Sequence, residues 1–430
     1  RPPCALSAPP PPGLCPGPRA HPGAMLAAHE RALTQQESIE WVVGIAGAVV
    51  GLTAAGALAD WGLRRFAERR LAGKPALGLL GGGLRVWALV LLLCSYGMLA
   101  PGLLMNLVQA DVSFNIFGHE MPLTSLSEGM LALIGRMRRQ GNYTGVVLVS
   151  AYAIAIPAVK LLLVLAGLWL QLLGGEGRLR WARRCLVAVR LISRWACPDM
   201  FAYILMTYLF RSLNKPPTLQ SDLRLGPGFA CFCVFCVGST VSSLGLRLPE
   251  VPPKEGATAD APRAVPARWR CAGNAAVLAL AVAFLALLAV GLAMPVMGLR
   301  FDLETLYEAR PQLRALAPIL DMLHLPELLR SEASVWECMA ALARWLAEGD
   351  ATCGIALVMY AVFAVALPVA HVATLVASVC SRRARGPALA AAAVIGKLCM
   401  LDVSIMGAVV VSCAMSNLRE KGVVVAVGRG

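Results

Sequence analysis

Residues 145–173 read GVVLVSAYAIAIPAVKLLLVLAGLWLQLL, and this stretch decides the fold. Crossing a hydrocarbon core takes about 20 mostly apolar residues in a helix. Here the apolar run is longer than that and carries one charge, Lys160, near its midpoint. Outward from it lie Trp41–Ala59, Val86–Leu107, Cys197–Phe210, Gly228–Leu246, Ala275–Met297, Gly354–Cys380 and Leu401–Met415, each apolar enough to be read as a span. The first is rich in Gly and Ala and reads either as a span or as a targeting or interfacial helix. Cys197–Phe210 and Leu401–Met415 are short and are expected to begin a turn or two earlier, in the Arg190–Trp195 and Val394–Leu398 regions.

The composition agrees with this reading. Of 430 residues, 58% are hydrophobic and only 15% charged, and the mean hydropathy is +0.67. Soluble chains are about half apolar and about a quarter charged. A chain this poor in charge cannot cover a water-facing surface, which excludes an ordinary soluble enzyme, a disordered regulator and a fibrous protein.

The net charge of +14 is explained by topology. Arg64, Arg65, Arg69, Arg70, Lys74 and Arg85 precede the second span, and Arg178, Arg180, Arg183, Arg184, Arg190 and Arg194 follow the third. Residues 247–270 are basic on balance, and Arg382, Arg383, Arg385 and Lys397 precede the last span. The loop around Asp111, Glu120 and Glu128 is mixed, and residues 301–352 are acidic on balance. Basic loops alternate with mixed or acidic ones, so the positive-inside rule gives one orientation. Because the basic residues are spread over separate short loops, nucleic acid is not expected as a partner.

The segment Ser125–Leu170, which opens SLSEGMLALIGRMRRQGNYTG, is matched by the segment from Ser334, which opens SVWECMAALARWLAEGDATCG. Each has Ser-x-x-Glu before a short amphipathic helix, with Glu128 and Glu337 placed as capping carboxylates, and then a Gly-containing turn. Each then has a long span with one proline, Pro157 or Pro368, followed three residues later by Lys160 or His371. The following spans match too: Arg194 stands five residues before Asp199, and Lys397 five before Asp402. Rare intramembrane polar positions do not coincide by chance as easily as apolar ones. The fold expected is therefore all-α and polytopic, with two tandem four-helix membrane domains in parallel topology.

The boundaries follow. Residues 1–40 form a Pro-rich leader without regular structure, and 41–84 an additional helix with a basic linker. Residues 85–248 form the first domain, 249–273 a basic cytoplasmic linker, and 274–430 the second domain, cut short of its last helix. The chain opens on Arg1, with Met25 available as an initiator, and closes inside the apolar phrase GVVVAVGRG, so it reads as a fragment.

RWACPDMF (194–201), KLCMLDVSI (397–405), the PAVK and PVAH spans, and GPGFACFCVFCVGSTVSSLGL (226–246) resemble the paraquat-inducible protein A family. The similarity covers roughly Arg85 to Gly430. Of the family's Trp-x-Met-x-Asp-like entry, the first copy keeps Trp195 and Asp199 but has Cys197 in the Met place, and the second keeps Met400 and Asp402 but has Leu398 for Trp. The resemblance implies a role in phospholipid transport between membranes and in membrane integrity, beside a partner with a mammalian-cell-entry (MCE) domain, in an inner or plasma membrane. The family's zinc ribbons are missing: 61–84 contains no cysteine and 247–274 only Cys271. That departure leaves an organelle membrane open as well.

Charged groups at membrane depth cost roughly 2.5–3.5 kcal/mol at a helix centre, so they mark function or tight pairing. Lys160 with Asp199 reads either as a polar site for a headgroup phosphate or proton, or as a packing pair. His371 and Asp402 are the second-half equivalents, with histidine able to change charge near neutral pH. Both aspartates also suit helix N-termini, where a carboxylate complements the dipole. Arg194 and Lys397 read as interfacial anchors on lipid phosphate, and Pro157 and Pro368 as helix kinks.

Cys231, Cys233 and Cys236 lie in an apolar span, where thiols behave as small hydrophobes, so neither a metal nor a disulfide framework is expected. No nucleophile elbow, phosphate loop, HExxH or dinucleotide motif appears. No catalytic residue, cofactor or metal ligand is therefore assigned. The readings carried forward are a non-enzymatic phospholipid-transport component, a proton-coupled small-solute transporter, and a non-transporting scaffold.

Overall fold

A computed structural model describes residues 40–41, 43–62, 65, 85–116, 119–195, 198–214, 219–246, 248–249, 267–301, 331–381, 385–415 and 423–427. Residues 1–39 of the Pro-rich leader, residues 66–84, most of the 249–273 linker and residues 302–330 lie outside the described residues.

Among the described residues, seven helices are long and apolar enough to cross a membrane, which is compatible with a multi-pass integral membrane protein. They are α1 (Val43–Gly62), α2 (Val86–Leu104), α4 (Tyr143–Leu173), α7 (Pro227–Gly245), α8 (Ala272–Ala293 within Ala267–Ala293), α10 (Ala351–Cys380) and a bipartite span, Arg385–Cys413. The last consists of α11 (Arg385–Leu398) and α12 (Leu401–Met415). Shorter helices are α3 (Met130–Arg139), α5 (Glu176–Ile192), α6 (Pro198–Ser212) and α9 (Val335–Ala347).

Two boundaries differ from expectation. The α6 helix does not begin in the Arg190–Trp195 region: that region finishes α5 and makes a 3₁₀ turn at Ser193–Trp195. Pro198 then restarts the chain as a helix of 15 residues, because proline is at ease only in a first turn, where no N–H is needed. The α8 helix begins at Ala267, inside the segment read as linker.

The chain is mostly helical, but two small sheets lie among the described residues, where the sequence pattern predicts loops or span ends. Strands β1 (Asn106–Ile116), β2 (His119–Gly129) and β3 (Leu219–Leu225) form one antiparallel sheet with β1 central. Strands β4 (Pro295–Phe301), β5 (Ser331–Ser334) and β6 (Val423–Val427) form the other, with β4 central. In each, the central strand leaves the end of a long helix, α2 or α8.

The elements recur in one order: α2-β1-β2-α3-α4-α5-α6-β3, then α8-β4-β5-α9-α10-α11-α12-β6. Local chemistry recurs with it. The turns into α4 and α10 need a left-handed residue, supplied by Gly141 at φ 77° and Gly349 at φ 101°, a region that only glycine enters freely. Ser334 and Glu337 cap α9 reciprocally, at 3.1 and 3.2 Å, as the Ser-x-x-Glu pattern demands. In the first copy Glu128 instead falls in β2, and Gly129 is the residue before α3. A methyl at Gly129 would stand 2.8 Å from the Leu104 carbonyl oxygen, so a side chain is excluded there.

Pro157 and Pro368 sit in the first turn after a π-helical stretch, Ala151–Ala155 and Ala361–Ala366. The N–H groups of Ile156 and Leu367 reach back to Ala151 O and Val362 O. This wider turn gives the proline ring room that a regular helix lacks.

One hydrophobic core runs through both copies. It includes Met200, Phe201, Ile204 and Leu205 of α6, Tyr360 and Phe363 of α10, and Val403 and Val410 of α12. At its centre Phe201 and Tyr360 meet edge to face, with centroids 5.5 Å apart. The α6 and α12 helices cross where Gly407 faces Pro198 and Phe201. Most of α7 is buried by protein, whereas α1 and α8 are mostly open. Burial on all sides explains the small and polar text of α7, since packed helices need small residues and hydroxyls where lipid-facing ones need bulk.

Candidate functional site

Lys160 is the residue the geometry singles out. It is fully buried, at 0% exposure, in the α4 span. Its Nζ donates to the Ser239 carbonyl at 2.9 Å and contacts the Ser239 Oγ at 3.2 Å. Both acceptors belong to α7. One turn earlier on α4, the Tyr96 hydroxyl of α2 donates to the Pro157 carbonyl at 3.0 Å. Tyr96 is held in turn by an edge-on contact with Phe235 of α7, at 5.2 Å. Thus α2 and α7 together fix the part of α4 that carries the ammonium.

Hydroxyls continue from this point along α7. Ser242 Oγ donates to the same Ser239 carbonyl at 3.0 Å, and Ser243 Oγ to Thr240 O at 2.7 Å. Ser193, at the end of α5, has its Oγ 3.1 Å from that of Ser243. Arg190, one turn back on α5, donates to the Leu246 carbonyl just past α7. Burial lowers the affinity of Arg190 for its proton. The GSTVSS run was visible in the sequence as polar text inside an apolar span; its partner was not.

Asp199 is buried, at 3% exposure, as the second residue of α6. Its Oδ1 has no hydrogen-bond partner. The structure joins Lys160 to α7 rather than to Asp199. In the second copy, the ring Nδ1 of His371 is 3.0 Å from the Ala392 carbonyl of α11, which can only accept, so Nδ1 carries the proton. Gly396 lies against the same ring, closing α10 on α11. Asp402 is exposed at the second position of α12, so the two matched aspartates have opposite surroundings. Lys397 lies in the last turn of α11, where a cation complements the helix dipole. The Arg194 side chain lies outside the described residues.

Four further residues form a seam that the sequence reading did not contain. Arg211 of α6 pairs with Asp350 before α10, at 2.8 Å. Asn142 before α4 donates to Cys413 O of α12, at 3.0 Å. Each copy's long span is thereby tied at its start to the other copy's α6 or α12, which are matching helices. The polar residue before a span was a legible cap signal; which helix it would reach was not.

Cys231, Cys233 and Cys236 are all buried. Among the described residues, no three His, Cys, Asp or Glu side chains come together to hold a metal ion. No protein-family model, curated protein or solved structure matches the chain. The resemblance to the paraquat-inducible protein A family therefore rests on the short motifs alone.

Proposed function

We propose that this protein is a multi-pass membrane component of phospholipid transport between membranes, made of two tandem four-helix membrane domains and working with an MCE-type partner. The observation that carries the reading is the seam between the copies. There α6 and α12 pack closely at Gly407, and two polar links tie α6 to the start of α10 (Arg211–Asp350) and α12 to the start of α4 (Asn142–Cys413). Parting the copies there, at the cost of the Phe201–Tyr360 contact they share, would give a lateral path for an acyl chain. Both sheets stand at the end of the spans opposite the basic α5, where a water-soluble partner can receive the lipid. In this reading Arg194 and Lys397 hold phosphate at the membrane surface.

The test is to purify the protein in mild detergent and identify bound lipid by mass spectrometry. Transfer of labelled phospholipid from proteoliposomes carrying the protein is then measured. Co-purified phospholipid and seam-dependent transfer support the reading. Absence of bound phospholipid, together with uptake of a soluble solute, sinks it. That second outcome belongs to proton-coupled solute transport, the reading favoured by the unpartnered, buried carboxylate oxygen of Asp199.

A further inference from the structure

We propose that the open face of α8 seats one further transmembrane helix of α7's chemistry, in the place that α7 takes against α2. This rests on the two-domain architecture and not on lipid transport.

The strands that leave α2 and α8 fix how the two helices match. Asn106 opens β1 and pairs with Gly129, the residue before α3; Pro295 opens β4 and pairs with Ser334, the residue before α9. Counted back from these strands, GLLM (102–105) falls on GLAM (291–294), so Gly102 matches Gly291. By the same count Leu91 and Ser95 match Leu280 and Phe284.

In the first copy α7 sits on these positions. A methyl at Gly102 would stand 3.1 Å from Phe232 N, and one at Gly238 would meet Ser95 Oγ and, at 3.4 Å, Leu91 Cδ1. Leu91 is 7% exposed and Ser95 0%. In the second copy the matching face is bare. Leu280 is 70% exposed, and a methyl at Gly291 would meet nothing within 4 Å. The α8 helix is seated instead by another face, where Ala281 and Leu288 are buried, and it packs on α10.

A lipid-facing helix gains nothing from glycine, which weakens a helix interior. Its return is the close approach of another backbone, as Phe232 makes at Gly102. The sheets argue the same way. In the first copy β3 pairs with β1 and leads directly into α7, with Val108 opposite Leu225. In the second, β6 pairs with β4 at the matching register, with Met297 opposite Val427. The ladder that adjoins the α2–α7 interface is thus present beside α8, and the seat continues it.

The first copy also says what the occupant carries. Phe284 stands where Ser95 meets Gly238, so a glycine or alanine is needed opposite it. Ser239 of α7 gives Lys160 its acceptors. The matching His371 is bound through Nδ1 to Ala392 O, which leaves Nε2 an acceptor with no partner among the described residues. A serine or threonine of the occupant, at the depth of Ser239, donates to it.

The experiment uses the protein in the membrane of its own cell. A diazirine photo-cross-linking side chain is placed singly at Leu91, Leu280, Leu287 or Val282, and the captured peptide is sequenced by mass spectrometry. Leu91 is expected to capture α7. Leu280 and Leu287 are expected to capture one and the same apolar segment of about 20 residues, with a serine or threonine in it. Val282, exposed on the opposite side of α8, is expected to capture lipid only. G291W, placed where this chain has open space, is expected to lower capture at Leu280 at least tenfold. Capture of lipid alone at Leu280 and Leu287, of a segment without a hydroxyl, or of a peptide from a second molecule of this chain overturns the proposal, as does capture that G291W leaves unaltered. If Leu91 captures α7 in those cases, the two-domain architecture stands and this proposal alone falls; if Leu91 fails to capture α7, both fall.

Discussion

Arg211 and Asp350 are 139 residues apart in sequence and 2.8 Å apart in space, and they join α6 of the first copy to the start of the proline-bearing span of the second. The guanidinium also contacts Cys353 Sγ at 3.2 Å and lies over the Trp345 ring at 4.7 Å. Thr352 donates to the other carboxylate oxygen at 2.7 Å. Burial pushes the Asp350 carboxyl up, but the Thr352 hydroxyl and the Arg211 charge outweigh it and hold it below its ordinary value.

That shift has a defined sign. A carboxyl whose pKa is depressed on folding adds stability above its unfolded value, near 3.8, and loses it as pH falls toward the folded value. Thermal unfolding in detergent is expected to show a loss on the acid side that D350N lacks. At pH 7, D350N and R211M should each cost about 1–3 kcal/mol, the range for stranding a buried polar partner. A double mutant no worse than either single one identifies the contact as the cause. Simple additivity of the two losses would refute the link.

At Gly407 the constraint is steric. A methyl there would stand 2.8 Å from Pro198 O and 2.9 Å from Phe201 Cβ, and the first of these is backbone. G407A is expected to cost about 1–3 kcal/mol through overpacking and to separate α6 from α12. Gly291 on α8 has open space instead, so G291A should be neutral or gain up to about 1 kcal/mol from helix propensity. Equal effects at the two sites would mean that the seam is not tightly packed.

The spans were legible because hydropathy over about 20 residues measures membrane depth directly. Of the sheets only β1 is legible: Val108 to Ile116 alternates apolar and polar residues without a break, the two-residue period of a strand. In β4 and β6 no alternation helps: PVMGLRF continues an apolar span and VVVAV is apolar throughout. The repeat was legible from Pro157, Lys160, Pro368 and His371 because prolines and charges are rare in spans. Their partners were not. Spacing along a helix gives depth and face, but not which neighbour occupies that face. Scarcity of charge therefore points Lys160 to Asp199, while the fold turns it to a serine on α7.

Asn142 does two tasks that a single substitution can separate. Its Oδ1 accepts from Gly145 N at 2.9 Å, capping α4, while its Nδ2 donates to Cys413 O at 3.0 Å. N142D keeps the cap acceptor and removes the donor, setting an oxygen against the Cys413 carbonyl. N142A removes both. Loss of a cap costs about 1 kcal/mol, and loss of a neutral hydrogen bond about 1 more. N142D should therefore weaken the seam, detected as slower cross-linking between cysteine pairs placed on α4 and α12, with α4 intact by hydrogen exchange. Loss of protection along α4 in N142D would show that the cap, not the seam, was broken.

Replacing Lys160 separates stability from activity. A buried ammonium at mid-span carries a standing cost of roughly 2.5–3.5 kcal/mol on insertion scales, offset here by its bonds to Ser239. Methionine has similar length and no charge, and Ser239 O keeps its bond from Ser242. K160M is therefore expected to unfold at the same temperature or several degrees higher, while lipid transfer or solute uptake falls at least tenfold. K160A leaves a cavity and should lose stability as well, by about 2–5 kcal/mol if the site cannot collapse, as for other large-to-small changes. If K160M is destabilised as much as K160A and activity falls only in proportion to folded protein, Lys160 is a packing residue. If K160M is stable and inactive, the cation is retained for function against its own cost.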